Sequence, residues 1–431
     1  MTVRLPWHRL STPAVLRPAA PRLGTRLNHR ILALTVRNFR TLTDVKLPMG
    51  PLTVMVGPNA AGKSNVLHAL NFLGDVSREG IEPALNTHGG FDVLAFRGGP
   101  RPVSRISVGI EGIWSDFASE DEPDRYELSI DRRRLPEGSR QSHTMYRRER
   151  FTQHPLEGVE TTVGLTNDAL TVDSPLEADH PCGTAKIGRL SSALQGDRAL
   201  PLHRDSPSAR AIGNVRHHLA RIRVFDPDVR LARKPWGISE SGGHLRSDAA
   251  NLADFLRGLK EDGDAWELLV EDVRKVVPQI RNIHLVDPPG LVSHRTAVEL
   301  EENGLRGRTR LAEASWGTVR ILCMLAIFHD PNPPLLTCIE EIDHGIHPHA
   351  LSLMAERLRE ASERSQYLVT THSPVFVSEL EPEEFVPCER GPNGASVIPA
   401  RRLKDLREVI EESEYEPMGN LWYSGSLGGA L

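Results

Sequence analysis

Four cysteines in 431 residues, with no C-x-x-C pair among them, exclude a disulfide framework and a thiolate zinc site. Cys182, Cys323, Cys338 and Cys388 are scattered, which suits a reducing cytosol. Cys323 and Cys338 sit inside apolar runs, where cysteine acts as a small hydrophobe. No apolar run approaches the ~20 residues of a membrane span, so a cytoplasmic chain with no membrane partner is expected. No heptad pattern persists and no repeat of solenoid period occurs, which excludes a long coiled coil and a repeat array. Asp and Glu are absent from residues 1–29. Prolines 6, 13, 18 and 21 break any transit-peptide helix there, and a secretory apolar core is missing; a disordered tail or an over-extended start is expected. The net charge of −5 excludes a chain that is basic throughout, so nucleic acid contact would need a local patch.

What is present fits a soluble protein of two or three lobes, 39% hydrophobic and 25% charged. One stretch dominates, LTVMVGPNAAGKSNVLHALNFL at 52–73. The β-branched run Leu52–Val56 predicts a buried strand. Gly57-Pro58-Asn59-Ala60-Ala61-Gly62-Lys63-Ser64 follows, and then Val66, Leu67, Leu70, Phe72 and Leu73 at helical spacing. Strand, glycine-bounded loop and helix are the context that makes G-x-x-x-x-G-K-[ST] a phosphate-binding loop rather than a glycine-rich turn. Gly57 and Gly62 allow the tight turn that brings backbone N–H groups onto phosphate oxygens. The helix N-terminus adds its dipole, Lys63 a point charge for the β and γ phosphates, and Ser64 a hydroxyl for Mg²⁺. Alone, the loop says "nucleoside triphosphate" and no more.

Residues 30–110 read as two antiparallel strands (ILALTVRNFRTLTDVKLPM), the phosphate loop, and a glycine-rich loop with short elements at 74–100. An antiparallel β layer and an exposed connection are expected over 111–208, the layer's first strand lying near 105. A helical lobe is expected over 209–282: ARAIGNVRHHLARIRVF, DAANLADFLRGLKED and AWELLVEDVRKVVPQI all read as helices. The remainder, 283–431, returns to strands and then carries a second chemical block. Within it Leu335–Ile339 predicts a buried strand ending at Glu340-Glu341, and Tyr367–Thr371 one ending at His372. Neighbouring strand residues point to opposite sides, so one acid can hold Mg²⁺ while the other faces a water at the γ-phosphate. A solvated acidic turn is the plain alternative. His372 could meet the γ-phosphate or the attacking water, though a strand-end histidine often serves packing. Asp343, His344, His347 and His349 are simpler to explain as turn residues than as a metal cluster, and His217-His218 as a surface pair.

VRNFRTLTDVKL, GPNAAGKSN, EASWGTVRIL, CIEEIDHGIHPHAL and VTTHSPVF, in that order, resemble successive motifs of the ABC-type ATPases of the SMC/RecF/OLD group. Closest in pattern are the stand-alone bacterial AAA family ATPases linked to phage defence. The resemblance covers about 30–431. It implies an α/β fold, an ABC/RecF-like ATPase head with mixed β-sheets, a P-loop core and an inserted β plus helical lobe. It implies ATP with Mg²⁺, bound by Gly57 through Asn65. Lys63 and Ser64 resemble the Walker A lysine and metal serine, Glu340 the Walker B metal acid and Glu341 the catalytic base. Ser315 and Gly317 resemble the signature residues that contact the γ-phosphate on a partner subunit. Asp343 falls in the D-loop, His372 resembles the switch histidine, and Asn38, Phe39 and Arg40 resemble the N-terminal segment near the nucleotide. Ile342 replaces the usual proline, and 86–99 stands where a Q-loop glutamine is expected.

The same resemblance implies a head-to-tail homodimer around two ATPs. Its expected roles are a DNA-responsive clamp in repair or phage defence, or a nucleotide-gated scaffold holding a separate effector such as a nuclease, with slow hydrolysis as a timer. The 57 residues after Pro374 are too few for the Toprim nuclease that OLD proteins carry. DNA contact points to 203–234, with eight Arg/Lys against three Asp, and 131–150, with seven Arg against three acids. Acid-paired surface is the competing reading for both.

Overall fold

The computed structural model describes residues 30–115, 117–136, 143–156, 159–166, 169–173, 190–195, 207–237, 243–287, 295–413 and 416–429. The tail expected at 1–29 and most of the exposed connection lie outside these residues.

The central layer is a five-stranded parallel sheet. Its strands are β3 (Leu52–Val56), β9 (Ile222–Phe225), β14 (Leu336–Ile339), β15 (Gln366–Thr371) and β16 (Phe385–Pro387), in the order β16-β3-β15-β14-β9. β3 is buried on both sides: Leu52, Val54 and Val56 enter one core and Met55 the other. That explains a sequence apolar except for buried Thr53, since a parallel strand covered on both faces has no solvent side to alternate with.

One face carries helix α1 (Lys63–Glu79) and a seven-stranded antiparallel sheet. The sheet runs β2 (Leu42–Pro48), β1 (Arg30–Phe39), β4 (Arg105–Ile113), β5 (Asp124–Arg134), β6 (His143–Leu156), β7 (Val159–Thr166), β8 (Ala169–Asp173). Strands on either side of the expected boundary at 110 therefore join one sheet. α1 turns Val66, Leu67, Leu70, Leu73 and Val76 inward. The opposite face is covered by α8 (Trp316–Phe328) and α9 (Pro348–Ser362) with α6 (Leu252–Asp262) and α7 (Asp264–Val276). α8 is buried from Val319 to Phe328, so its sequence is apolar all round. A four-stranded sheet and a two-stranded hairpin complete this side and the C-terminus: β10 (Trp236–Gly237), β11 (Ile280–Val286), β12 (Arg295–Glu302) and β13 (Arg308–Arg310) form the sheet, β17 (Glu389–Arg390) and β18 (Ser396–Val397) the hairpin. Short helices α2 (Ile81–Thr87), α3 (Phe91–Leu94), α4 (Pro207–Ala220), α5 (Val229–Ala232), α10 (Pro374–Val377), α11 (Leu403–Glu412) and α12 (Met418–Tyr423) fill the connections.

Three expectations are corrected. Residues 74–100 are largely helical: Gly80 (φ 99°) and Gly90 (φ 85°) mark helix boundaries, so those glycines punctuate helices rather than open a loop. Ile222–Phe225, expected as the end of a helix, is strand β9, paired in parallel with β14 from Ile222↔Leu336 to Phe225↔Ile339. The helical pattern ends at Ala220, and four residues are too few to display their own period. His218 is buried, so the His217-His218 pair is not a surface pair.

Gln366 ties the layers together. Its Oε1 accepts from the Ile31 N–H at 2.6 Å, and its Nε2 donates to the Ile31 and Gly50 carbonyls at 2.7 and 3.0 Å. It is fully buried. Gln366→Ala removes three hydrogen bonds to the backbone, two of them buried, a loss of roughly 2–5 kcal/mol. Urea unfolding should show a lower midpoint with an unchanged slope. An unchanged midpoint would mean that water replaces the side chain.

Candidate nucleotide site

The loop after β3 is shaped by left-handed backbone at Ala60 (φ 65°) and Gly62 (φ 108°). At Gly62 an added Cβ would overlap the Ser396 hydroxyl, and at Gly57 it would overlap the Cys388 carbonyl, so both positions require glycine on space alone. Lys63 is 5% exposed, and its Nζ donates to the carbonyls of Gly57 (2.8 Å) and Pro58 (3.0 Å). Burial holds its pKa below the ordinary lysine value, and Glu341, Asp343 and Glu340 oppose that shift.

Ser64, at the start of α1, donates its hydroxyl to the Glu340 carboxylate, a contact across 276 residues of sequence. A hydroxyl and a carboxylate facing each other are hard oxygen donors of the kind Mg²⁺ takes, so the pair fits that ion. Glu340 and Glu341 are not separated by strand alternation as expected. β14 ends at Ile339, and Glu341 is in left-handed backbone (φ 48°). The turn is held by other groups: the Glu341 N–H donates to Thr370 Oγ1 (2.9 Å), and Arg320 donates to the carbonyls of Glu340 (3.2 Å) and Glu341 (2.9 Å). His372 Nε2 and His344 Nδ1 each stand 3.9 Å from the Glu341 carboxylate, one on each oxygen. Burial, and then the Lys63 charge, hold the His372 pKa below the usual imidazole value, which favours the neutral ring. Asp343 braces the same corner: its Oδ1 accepts from Thr371 Oγ1 at 2.6 Å and from the His372 N–H at 3.4 Å.

These groups enclose a cleft of about 260 Å³. It is lined by Asn59, Ala60, Gly62, Lys63, Ser64 and Asn65 of the loop, and by Glu340, Glu341, Thr370, His372 and Arg390. Gly57, Pro58 and Ala61 stand behind the lining, Ala61 fully buried. Arg40 does not line the cleft. Its side chain stands beside His68, whose pKa is pushed down to about 4 by burial and then by Arg40 and His88. Ser315 and Gly317 do not line it either. Ser315 caps α8, its Oγ accepting from the Thr318 N–H at 3.1 Å, and Gly317 packs against the Gly345 carbonyl. Next to them Trp316 stacks with His344, ring centroids 5.1 Å apart. His347 caps α9, its Nδ1 accepting from the His349 N–H. Two lining residues escaped the sequence reading. Thr370 was legible in principle, two residues before His372 on a strand already recognised. Arg390 belongs to no motif.

A phosphate loop between β3 and α1, an acidic turn after β14 and a histidine after β15, all on one parallel sheet flanked by an antiparallel one, define an ABC-type ATPase head. The chain belongs to the family described as "AAA domain, putative AbiEii toxin, Type IV TA system", whose model matches residues 52–378. It is also similar to an OLD nuclease of Thermus scotoductus (strain ATCC 700910 / SA-01), 59% identical over 44 residues. That match spans 10% of this chain and 8% of the relative's length. Among solved structures, a SmcHead bound to the C-winged helix domain of ScpA is 18% identical with TM-score 0.47, covering 86% of this chain and 96% of that one. A Smc head domain with an extended coiled coil, bound to the C-terminal domain of ScpA and derived from Pyrococcus furiosus, is 16% identical with TM-score 0.49, covering 90% of this chain and all of that one. The fold assignment rests on the strand order above. Among the described residues no helix is long and apolar enough to cross a membrane.

Proposed function

We propose that the chain is a Mg²⁺-dependent, ATP-hydrolysing ATPase that closes as a head-to-tail homodimer around two ATPs, in the cytosol, in DNA repair or phage defence. The observation that carries this reading is the meeting of Lys63, Ser64, Glu340, Glu341 and His372 on one cleft, which Ser315 and Gly317 do not line. Ser64 and Glu340 would hold Mg²⁺, which supplies charge neutralisation for the phosphates. Lys63 binds the β and γ phosphates. Glu341 takes a proton from water, and His372, neutral and hydrogen-bond capable, orients that water or the γ-phosphate. Ser315 and Gly317 complete the partner's site. ATP then shifts the population toward the closed dimer through γ-phosphate contacts made only there.

For DNA, both segments present exposed basic side chains, Arg210, Arg216, Arg230 and Lys234 in 203–234 and Arg133, Arg134 and Arg150 in 131–150. In 131–150, Arg132 is paired with Asp92, Arg148 with Asp131 at 3.1 Å, and buried Arg147 with Glu149 at 3.3 Å. The second reading, a nucleotide-gated scaffold for a separate nuclease, draws on the short likeness to an OLD nuclease. Phosphate release with and without Mg²⁺ and duplex DNA separates the two. Release that requires Mg²⁺ and rises with DNA is the expected result. A rate indifferent to DNA removes the clamp role, and no release at all leaves only the scaffold.

A further inference from the structure

The phosphate loop does not stand on β3 and α1 alone. The β17–β18 hairpin runs directly beneath it. The Cys388 N–H donates to the Val56 carbonyl at 2.7 Å, and the Ser396 N–H to the Thr41 carbonyl at 2.8 Å. Ser396 and Thr41 hydroxyls meet at 2.6 Å, and Thr41 Oγ1 accepts from Asn65 Nδ2 at 2.7 Å. The hairpin is fastened in turn by Glu389, whose Oε1 accepts from the Gly429 N–H at 2.7 Å. At its edge Arg390 reaches the crown of the loop, donating from Nη1 to the Ala60 carbonyl at 2.8 Å. Among the described residues the Arg390 guanidinium shows no other hydrogen bond and no ion pair with a carboxylate, its backbone being paired with Ser396 in the hairpin. It is exposed and lines the cleft.

We propose that Arg390 is a nucleotide-contacting residue, a second phosphate-binding cation held over the loop by the C-terminal hairpin; this rests on the nucleotide reading above. The charge pattern motivates it. The lining holds two carboxylates, Glu340 and Glu341, and a single lysine, so without Arg390 it carries net negative charge toward an anionic ligand. A guanidinium has five N–H donors, and the Ala60 carbonyl uses one. The others are free to take phosphate oxygens, for which the planar fork is well matched. Ala60 belongs to the loop that wraps phosphates, which places the guanidinium on the phosphate chain rather than on the base.

The test measures binding of ATP and GTP to the full chain and to Arg390→Ala, Arg390→Gln and Arg390→Lys. Arg390→Ala should weaken ATP by about tenfold, or ~1.4 kcal/mol. Arg390→Gln should be as weak, since it keeps a donor for Ala60 but no charge, and Arg390→Lys should recover part of the loss. The ATP-to-GTP affinity ratio should stay constant throughout. Arg390→Ala or Arg390→Gln binding ATP like wild type would overturn the proposal, the latter leaving Arg390 as a strut for the loop. A shifted ATP-to-GTP ratio would move the contact to the base and overturn it too. A wild-type chain that binds no ATP would instead overturn the nucleotide reading itself, and this inference with it.

Discussion

Glu341→Gln is expected to keep ATP binding, slow hydrolysis by at least about a hundredfold and trap a two-copy assembly. The substitution is close to isosteric. It leaves the Glu341 N–H to Thr370 Oγ1, the two Arg320 contacts to the turn and the left-handed backbone in place. Only the carboxylate that accepts a proton from water is lost. The neighbours fix the direction of the effect: Glu340 is engaged by Ser64, and His372, its pKa lowered by burial and by the Lys63 charge, is a weakened base, so neither is a good replacement for Glu341. With hydrolysis stopped, the closed state is no longer released, and gel filtration with ATP and Mg²⁺ should show a species of twice the mass. A persistent monomer would reject the two-copy site. A variant that hydrolyses at the wild-type rate would reject Glu341 as the base.

Lys63→Ala should abolish measurable nucleotide binding. Each hydrogen bond to a charged group is worth about 1.5–3 kcal/mol, and in the proposed role Lys63 would supply such bonds to two phosphates, so affinity should fall by at least about a hundredfold. The loss is compounded by the surroundings. Lys63 is buried between the loop and the acids, and removing it leaves Glu340 and Glu341 facing the phosphates with only Arg390 opposite. The Gly57 and Pro58 carbonyls also lose their donor. Lys63→Arg should fail to restore binding, because the larger planar fork does not occupy the space of an ammonium. Calorimetric titration with ATP checks both variants, with circular dichroism to establish that they fold. An unchanged affinity would remove Lys63 from the site.

The two variants separate steps that the site combines. One should bind without turning over, the other should not bind. Together with Arg390→Ala, expected to bind weakly yet turn over what it binds, they divide the cleft into a phosphate side and a water side.

Much of this cleft was readable because its parts are local. Gly57 to Ser64 needs no distant residue to be recognised: the glycines, lysine and serine stand at spacings that the backbone turn itself demands. The largely apolar runs of β3, β14 and β15 were legible because strands buried on both faces have no solvent side to alternate with, and the few polar residues in them, such as Thr53, Thr337 and Gln366, are buried as well. Pattern failed where a short segment borrows its conformation from a neighbour. β9 is four residues long and is a strand because β14 offers it an edge. The two acids failed in a different way. Both line the cleft, but not through alternation along a strand, since the chain leaves the sheet at Ile339 and turns through a left-handed Glu341. Arg40 and Arg390 show the same limit in side chains. The arginine beside a recognised motif turns toward His68, and the one that reaches the loop lies 330 residues away from Ala60.

By itself, then, the sequence determined the phosphate-loop motif, the strand that leads into it and the chemical type of the groups it brings, because backbone sterics and hydrophobic period act between near neighbours. The tertiary structure alone decided which remote residues share the cleft: Glu340 against Ser64, Thr370 beneath Glu341, Arg390 over Ala60. Such contacts depend on how whole layers bury their apolar faces against one another, a choice made across the full chain and written in no single stretch of it.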